Sequence, residues 1–174
     1  PLPIKKIISA MPELVRGLSR RGGEFAAAGI LTTDRLLKQT AAEFLIGRRK
    51  VRVGAIAKGA GMICPQMTLP TSSRPAKKPG GLPHATMLCF VTTDAVIAPS
   101  ALRDALQRAA DKTFNTITID GDMSTNDMAV VLANGAAQNR KIVEKSKEFK
   151  EFAHALETLF SQLAKQMIKD AEGA

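Results

Sequence analysis

Between Ser146 and Asp170 the apolar residues Phe149, Phe152, Ala153, Leu156, Leu159, Phe160, Leu163 and Met167 recur three or four positions apart. That spacing puts them on one face of a single long amphipathic helix. A second helix is expected from Pro99 to Thr113, opening at a proline and carrying Leu102, Ala105, Leu106 and Ala109 on one side. A third runs from Ile4 to Leu18, with Ile4, Ile7, Ile8, Met11, Leu14, Val15 and Leu18 at the same intervals. Pro12 is expected to kink it or to start a second turn. Runs of strand type appear at 25–31, 51–57, 86–91, 116–119 and 128–133, the last closing on the turn signal Asn134-Gly135. Helices and strands together predict an α/β or α+β class.

One stretch differs in kind. From Pro65 to Pro83 the chain carries prolines at 65, 70, 75, 79 and 83, with Ser72-Ser73, Gly80-Gly81 and the basic residues Arg74, Lys77 and Lys78. It reads as a long solvated loop. No aromatic residue is interleaved with its basic residues for base stacking, so it is not read as a nucleic-acid site. The net charge of +9 is compatible with a nucleic acid, a membrane or an anionic substrate, and does not choose among them.

With 174 residues, 45% of them hydrophobic, the chain can bury a core without covalent staples. Its two cysteines, Cys64 and Cys89, have neither metal-ligand nor CxxC spacing, which points to a reducing compartment and to thiols without a catalytic role. No apolar run approaches the roughly 18 residues that span a bilayer, so no membrane partner is expected. Pro1 stands where an initiator Met is expected, and Glu172-Gly173-Ala174 follows directly on an amphipathic stretch. Both ends therefore suggest a fragment.

Several motifs with chemical potential fail on inspection. Gly59-Ala60-Gly61 opens like a dinucleotide loop, but Cys64 occupies the third glycine position and no GxxxxGK sequence exists. Asp120, Asp122, Ser124 and Asp127 have calcium-loop spacing, yet Thr125 and Val131 stand where Gly and Glu are needed. A capped turn is the simpler reading, and no metal is expected. His84 and His154 have no partner at ligand or triad spacing and stay unassigned.

Three ordered stretches carry a resemblance. They are Ile56-Ala57-Lys58-Gly59-Ala60-Gly61-Met62-Ile63-Cys64-Pro65, then Ala85-Thr86-Met87-Leu88, then the run from Thr113-Phe114-Asn115 through Asp120-Gly121-Asp122-Met123-Ser124-Thr125-Asn126-Asp127 to Leu132-Ala133-Asn134-Gly135. Thr32-Thr33-Asp34 and the terminal Lys169-Asp170-Ala171-Glu172-Gly173-Ala174 fit the same order. The chain resembles, over nearly its whole length, the glutamate N-acetyltransferase (ornithine acetyltransferase) family of arginine biosynthesis.

The resemblance implies an α+β fold, a layered sandwich of helices outside paired sheets, in a self-cleaving class. It implies cleavage between Ala85 and Thr86 and a catalytic role for the freed Thr86. A threonine hydroxyl needs an adjacent base, and a new α-amine of pKa about 8 can supply one. By motif, Thr32, Lys58, Thr86 and Glu172 correspond to substrate-contacting positions. A cationic Lys58 suits a substrate carboxylate and an acidic Glu172 an amino group. Residues 1–85, with 65–83 as an insertion, would be the C-terminal part of an α-chain-like segment, and residues 86–174 the N-terminal part of a β-chain-like one.

The implied reaction is a ping-pong transfer of acetyl from N2-acetylornithine to glutamate, with no cofactor. Use of acetyl-CoA as a donor substrate is left open. Implied too are a heterotetramer of α and β chains at full length, no nucleic-acid partner, and a cytoplasmic location, or the mitochondrial matrix in a eukaryote. Two features depart from the family pattern. The link from Lys58 to Thr86 is about 17 residues longer than the family's, a change that costs little loop entropy but puts self-cleavage in question, with His84 in place of Met. The Thr-Gly pair that forms the family's oxyanion hole has no counterpart here, so the isolated fragment is expected to be nearly inactive. A self-cleaving aminopeptidase-like amide hydrolase and an inactive basic binding fragment stay open as alternatives.

Overall fold

A computed structural model describes residues 2–69 and 86–173. The chain opens with α1 (Ile4–Arg16), which continues through Pro12, and the short α2 (Gly23–Gly29). Next comes a hairpin of β1 (Lys38–Ile46) and β2 (Arg49–Lys58), antiparallel, with Ile46 facing Arg49 across the two-residue turn Gly47-Arg48. Gly47 sits at φ +62°, which a tight hairpin turn requires and which glycine adopts without strain. β3 (Leu88–Thr93) pairs antiparallel with β2. A helical crossover, α3 (Pro99–Lys112), then brings β4 (Met128–Ala133) in parallel to β3, as parallel neighbours require. The sheet order is β1-β2-β3-β4. The chain is completed by α4 (Lys147–Lys169).

The long stripe is a helix for the reason its spacing gives, and its start is marked chemically. Ser146 caps it, its hydroxyl accepting the Phe149 N–H at 3.0 Å. Phe149, Phe152, Leu156, Leu159, Phe160, Leu163 and Met167 are all buried. Phe152 meets Phe44 of β1 at 6.2 Å between ring centroids, and Phe160 meets Phe114 at 4.7 Å. In α3 the inward positions Ala101, Ala105, Ala109 and Ala110 are small, which lets another helix approach closely. α4 thus closes one face of the sheet beside α3, over the buried Val51, Val53, Ala55, Ala57, Cys89 and Val91. α1, by contrast, buries none of its residues, and its apolar stripe is exposed.

Three sequence expectations differ from the structure. Phe25 to Leu31 is not a strand: its Ala26-Ala27-Ala28 core lies in α2, where alanine is the best helix former and Glu24 sits favourably in the first turn. Thr116 to Ile119 is not a strand either. The chain there makes a 3-10 turn at Phe114–Thr116, with the Thr116 hydroxyl donating back to the Thr113 carbonyl, and the Ile119 N–H donates to the Ile63 carbonyl at 2.8 Å. The Thr116 and Ile117 N–H groups donate back to the Thr113 and Phe114 carbonyls, so these backbone groups are used in the turn and not in a ladder. β1 is the third, an element without an obvious sequence signal, because Lys38, Gln39, Thr40 and Glu43 dilute its apolar positions. The loop reading for 70–83 falls outside the described residues.

Candidate active site

Register decides which residues meet. Lys58 ends β2 opposite Leu88, the first residue of β3, and Leu88 in turn faces Met128, the first residue of β4. Thr86 and Asp127 each lie just before their strands, so Lys58, Thr86 and Asp127 gather at one end of the sheet. The Met128 N–H donates to the Met87 carbonyl at 3.1 Å, which carries the β3–β4 pairing up to the residue after Thr86.

There the half-buried Thr86 donates its hydroxyl to Asp127 Oδ1 at 3.2 Å. The same carboxylate oxygen accepts the Met87 N–H at 3.0 Å, and the Ser124 hydroxyl also hydrogen-bonds this carboxylate. Burial pushes the Asp127 carboxyl above the usual range, outweighing those hydrogen bonds and the charge of Lys58. Lys58 is only 4% exposed. Burial draws its ammonium below the ordinary lysine range, although Asp34 and Asp127 oppose the shift. Its Nζ donates to the hydroxyl of Thr32 at 3.3 Å.

The loop that presents Thr32 is held by a buried ion cluster. Lys38, fully buried, donates to Asp34 at 2.7 Å and to Asp170 at 2.5 Å. Asp34 also accepts the Gly59 N–H at 2.6 Å, and Asp170 accepts the Arg35 and Leu36 N–H groups. Burial alone would raise both carboxyls, but Lys38 and these backbone donors hold them below the usual carboxylate range. One lysine therefore ties the Thr32 loop to the end of β2 and to the end of α4.

Two residues beyond Asp170, Glu172 reaches the glycine loop. Its N–H donates to the Ala60 carbonyl at 2.8 Å, and its carboxylate covers Gly61, where a Cβ would lie 2.7 Å from Oε2. Gly59 stands at φ +146°, and a Cβ there would lie 2.8 Å from Ile63 Cδ1 and 3.1 Å from the Thr86 carbonyl oxygen, so this position needs glycine for both conformation and space. Asp120 accepts the N–H groups of Met62 and Ile63 and so fixes the far end of the loop. Asp120 and its neighbours thus form a capped turn that shapes the site.

Of the residues singled out from sequence, Thr32 and Lys58 meet directly, Thr86 joins them through Asp127, and Glu172 lies exposed beside the glycine loop. Ala85, His84 and the basic residues Arg74, Lys77 and Lys78 lie outside the described residues. Cys89 is buried with its thiol pushed up to about 12, which leaves it un-ionised at neutral pH. Asp127 is the residue whose part the sequence reading missed, since its spacing from Asp120 suggested a cation loop and nothing linked it to Thr86. Lys38, Asp34 and Asp170 were missed too, and only the acidic end of Thr32-Thr33-Asp34 hinted at them.

The fold and this site define an α+β protein that holds a threonine hydroxyl on a half-buried carboxylate next to a buried ammonium. The ArgJ family model matches residues 1–174, and the chain belongs to that family. An arginine biosynthesis bifunctional protein ArgJ of Symbiobacterium thermophilum is 45% identical over 174 residues, covering 100% of this chain and 39% of that protein. The mitochondrial ArgJ of Cryptococcus neoformans is 43% identical over 190 residues, covering 100% of this chain and 38% of its own length. The crystal structure of ArgJ from Bacillus halodurans matches 49% of this chain and 40% of that chain at 47% identity, with a TM-score of 0.47. The chain thus spans about two-fifths of the length of the curated relatives it matches. Among the described residues, no helix is long and apolar enough to cross a membrane.

Proposed function

We propose that this chain supplies the nucleophile of an acetyltransferase of arginine biosynthesis, moving acetyl from N2-acetylornithine to glutamate. The observation that carries this reading is the Thr86 hydroxyl bonded to the half-buried Asp127 carboxylate, with Lys58 in the same charge cluster. Thr86, freed by cleavage after Ala85, takes the acetyl group and ornithine leaves. Glutamate then takes the acetyl from Thr86, a ping-pong sequence. Lys58, with Thr32 beside it, receives a substrate carboxylate, and Glu172 receives an amino group. No cofactor takes part, and acetyl-CoA serves as a further donor in a bifunctional version. The names of the relatives support the pathway, and their bacterial and mitochondrial origins support a cytoplasmic or matrix location. Paired α and β chains in a heterotetramer complete the proposed assembly.

The test uses the chain alone and the chain extended to the full length of its relatives. With N2-acetylornithine and glutamate, the extended protein is expected to form ornithine and N-acetylglutamate in equal amounts, and the 174-residue chain far less. Free acetate formed without glutamate marks a hydrolase instead. No ornithine from the extended protein overturns the assignment.

A further inference from the structure

We propose that the Asp127 carboxylate is the general base that takes the Thr86 hydroxyl proton when the peptide bond before Thr86 is cut. The inference rests on the self-cleavage reading above and supplies what that reading lacks. In the uncut chain the Thr86 nitrogen is a peptide nitrogen, its lone pair delocalised into the carbonyl. It cannot serve as a base before cleavage, although the freed amine can serve afterwards. An unassisted threonine hydroxyl is a weak nucleophile at neutral pH. The first event therefore needs a different base from every later one.

Asp127 meets the geometric requirement for that base. Its Oδ1 lies 3.2 Å from Thr86 Oγ1, within the reach of a direct proton transfer once the contact tightens. The Met87 N–H, donating to the same oxygen at 3.0 Å, locks the carboxylate in register with the residue after the nucleophile. Asp127 Oδ2 is buried and has no hydrogen-bond partner among the described residues. Burial also raises the basicity of the group, and the charge of Lys58 opposes that rise.

The steps balance as follows. Asp127 takes the proton from Thr86 Oγ1 as that oxygen bonds to the carbonyl carbon of Ala85. The carbon–nitrogen bond then breaks, and the proton on Asp127 passes to the leaving nitrogen, which becomes the Thr86 amine. The ester left between Ala85 and Thr86 Oγ1 is hydrolysed by water, giving a carboxylate on Ala85, returning the hydroxyl to Thr86 and leaving the remaining proton on the Thr86 amine. Asp127 ends as it began, ionised.

The experiment follows cleavage by intact mass in the extended protein, comparing wild type, Asp127→Asn, Asp127→Glu and Thr86→Ala. Asp127→Asn is expected to slow cleavage by about 10²- to 10⁴-fold, and Asp127→Glu to restore part of the rate. Wild-type cleavage is expected to slow as pH falls through the raised Asp127 value, and the residual Asp127→Asn rate to show no such fall. The pH profile separates proton transfer from simple positioning, and far-ultraviolet circular dichroism confirms that each variant is folded. Asp127→Asn cleaving at the wild-type rate while Thr86→Ala stays whole overturns the role of Asp127 and leaves the Thr86 reading standing. Cleavage of Thr86→Ala, or an uncut wild type, overturns both.

Discussion

Thr86→Ala, made in the extended protein, leaves one uncut polypeptide and lowers ornithine release by about 10⁴-fold or more, the scale seen when an enzyme loses its nucleophile. The size follows from the site. Thr86 supplies the attacking oxygen and, once cleaved, the amine that activates it, so one substitution removes both. No neighbour can replace it, because Cys89, the nearby residue of highest intrinsic nucleophilicity, is buried with its thiol at about 12. Folding is expected to survive, since the Met87 N–H still donates to Asp127. The measurements are intact mass and ornithine release, read together. Thr86→Ser, which keeps the oxygen and the amine, is expected to retain cleavage and part of the transfer rate.

Lys38→Met is expected to cost about 3–5 kcal/mol of stability, the range for removing one partner from a buried ion cluster. Methionine fills much of the same space, so the loss is one of charge. Asp34 and Asp170 would stay buried without their cation, and both of the Lys38 bonds that join them would go. For a chain of this size that corresponds to a melting temperature lower by roughly 6–20 °C. The pH dependence has a definite sign. Both carboxyls have folded values below 3.8, so the stability they lend is present above that value and is lost as pH falls through the lowered values. Without Lys38 those values rise, and the acid loss is expected to begin at higher pH. Thermal melts of both proteins across the acidic range check the magnitude and the sign.

The parts of the fold that were legible in the sequence are those where local chemistry and tertiary packing agree. α4 announces itself through its stripe and Ser146, α3 through Pro99 and its alanines, and β4 through an unbroken apolar run. α2 was misread because three successive alanines carry no period, leaving only propensity to decide. β1 was hidden because four of its nine residues are polar, and Lys38 is buried only by virtue of Asp34 and Asp170. The same reason limits what could be seen of the site. Thr32, Lys58, Thr86 and Glu172 are carried by ordered motifs. The ion pair between Lys38 and Asp170 joins positions 132 residues apart, and the bond between Thr86 and Asp127 joins positions 41 apart. Nothing local marks either pair: the packing of α4 on β1 brings the first together, and the register of β3 on β4 the second.

The central claim is that the Thr86 oxygen accepts the acetyl group. The most direct measurement mixes the extended protein briefly with N2-acetylornithine in the absence of glutamate and takes the intact mass of each chain, followed by peptide mapping. The expected result is one added acetyl group on the chain that begins at Thr86, mapped to that residue and removed on adding glutamate. Ornithine appearing while Thr86 stays unmodified, or acetyl mapped to a different residue, contradicts the claim.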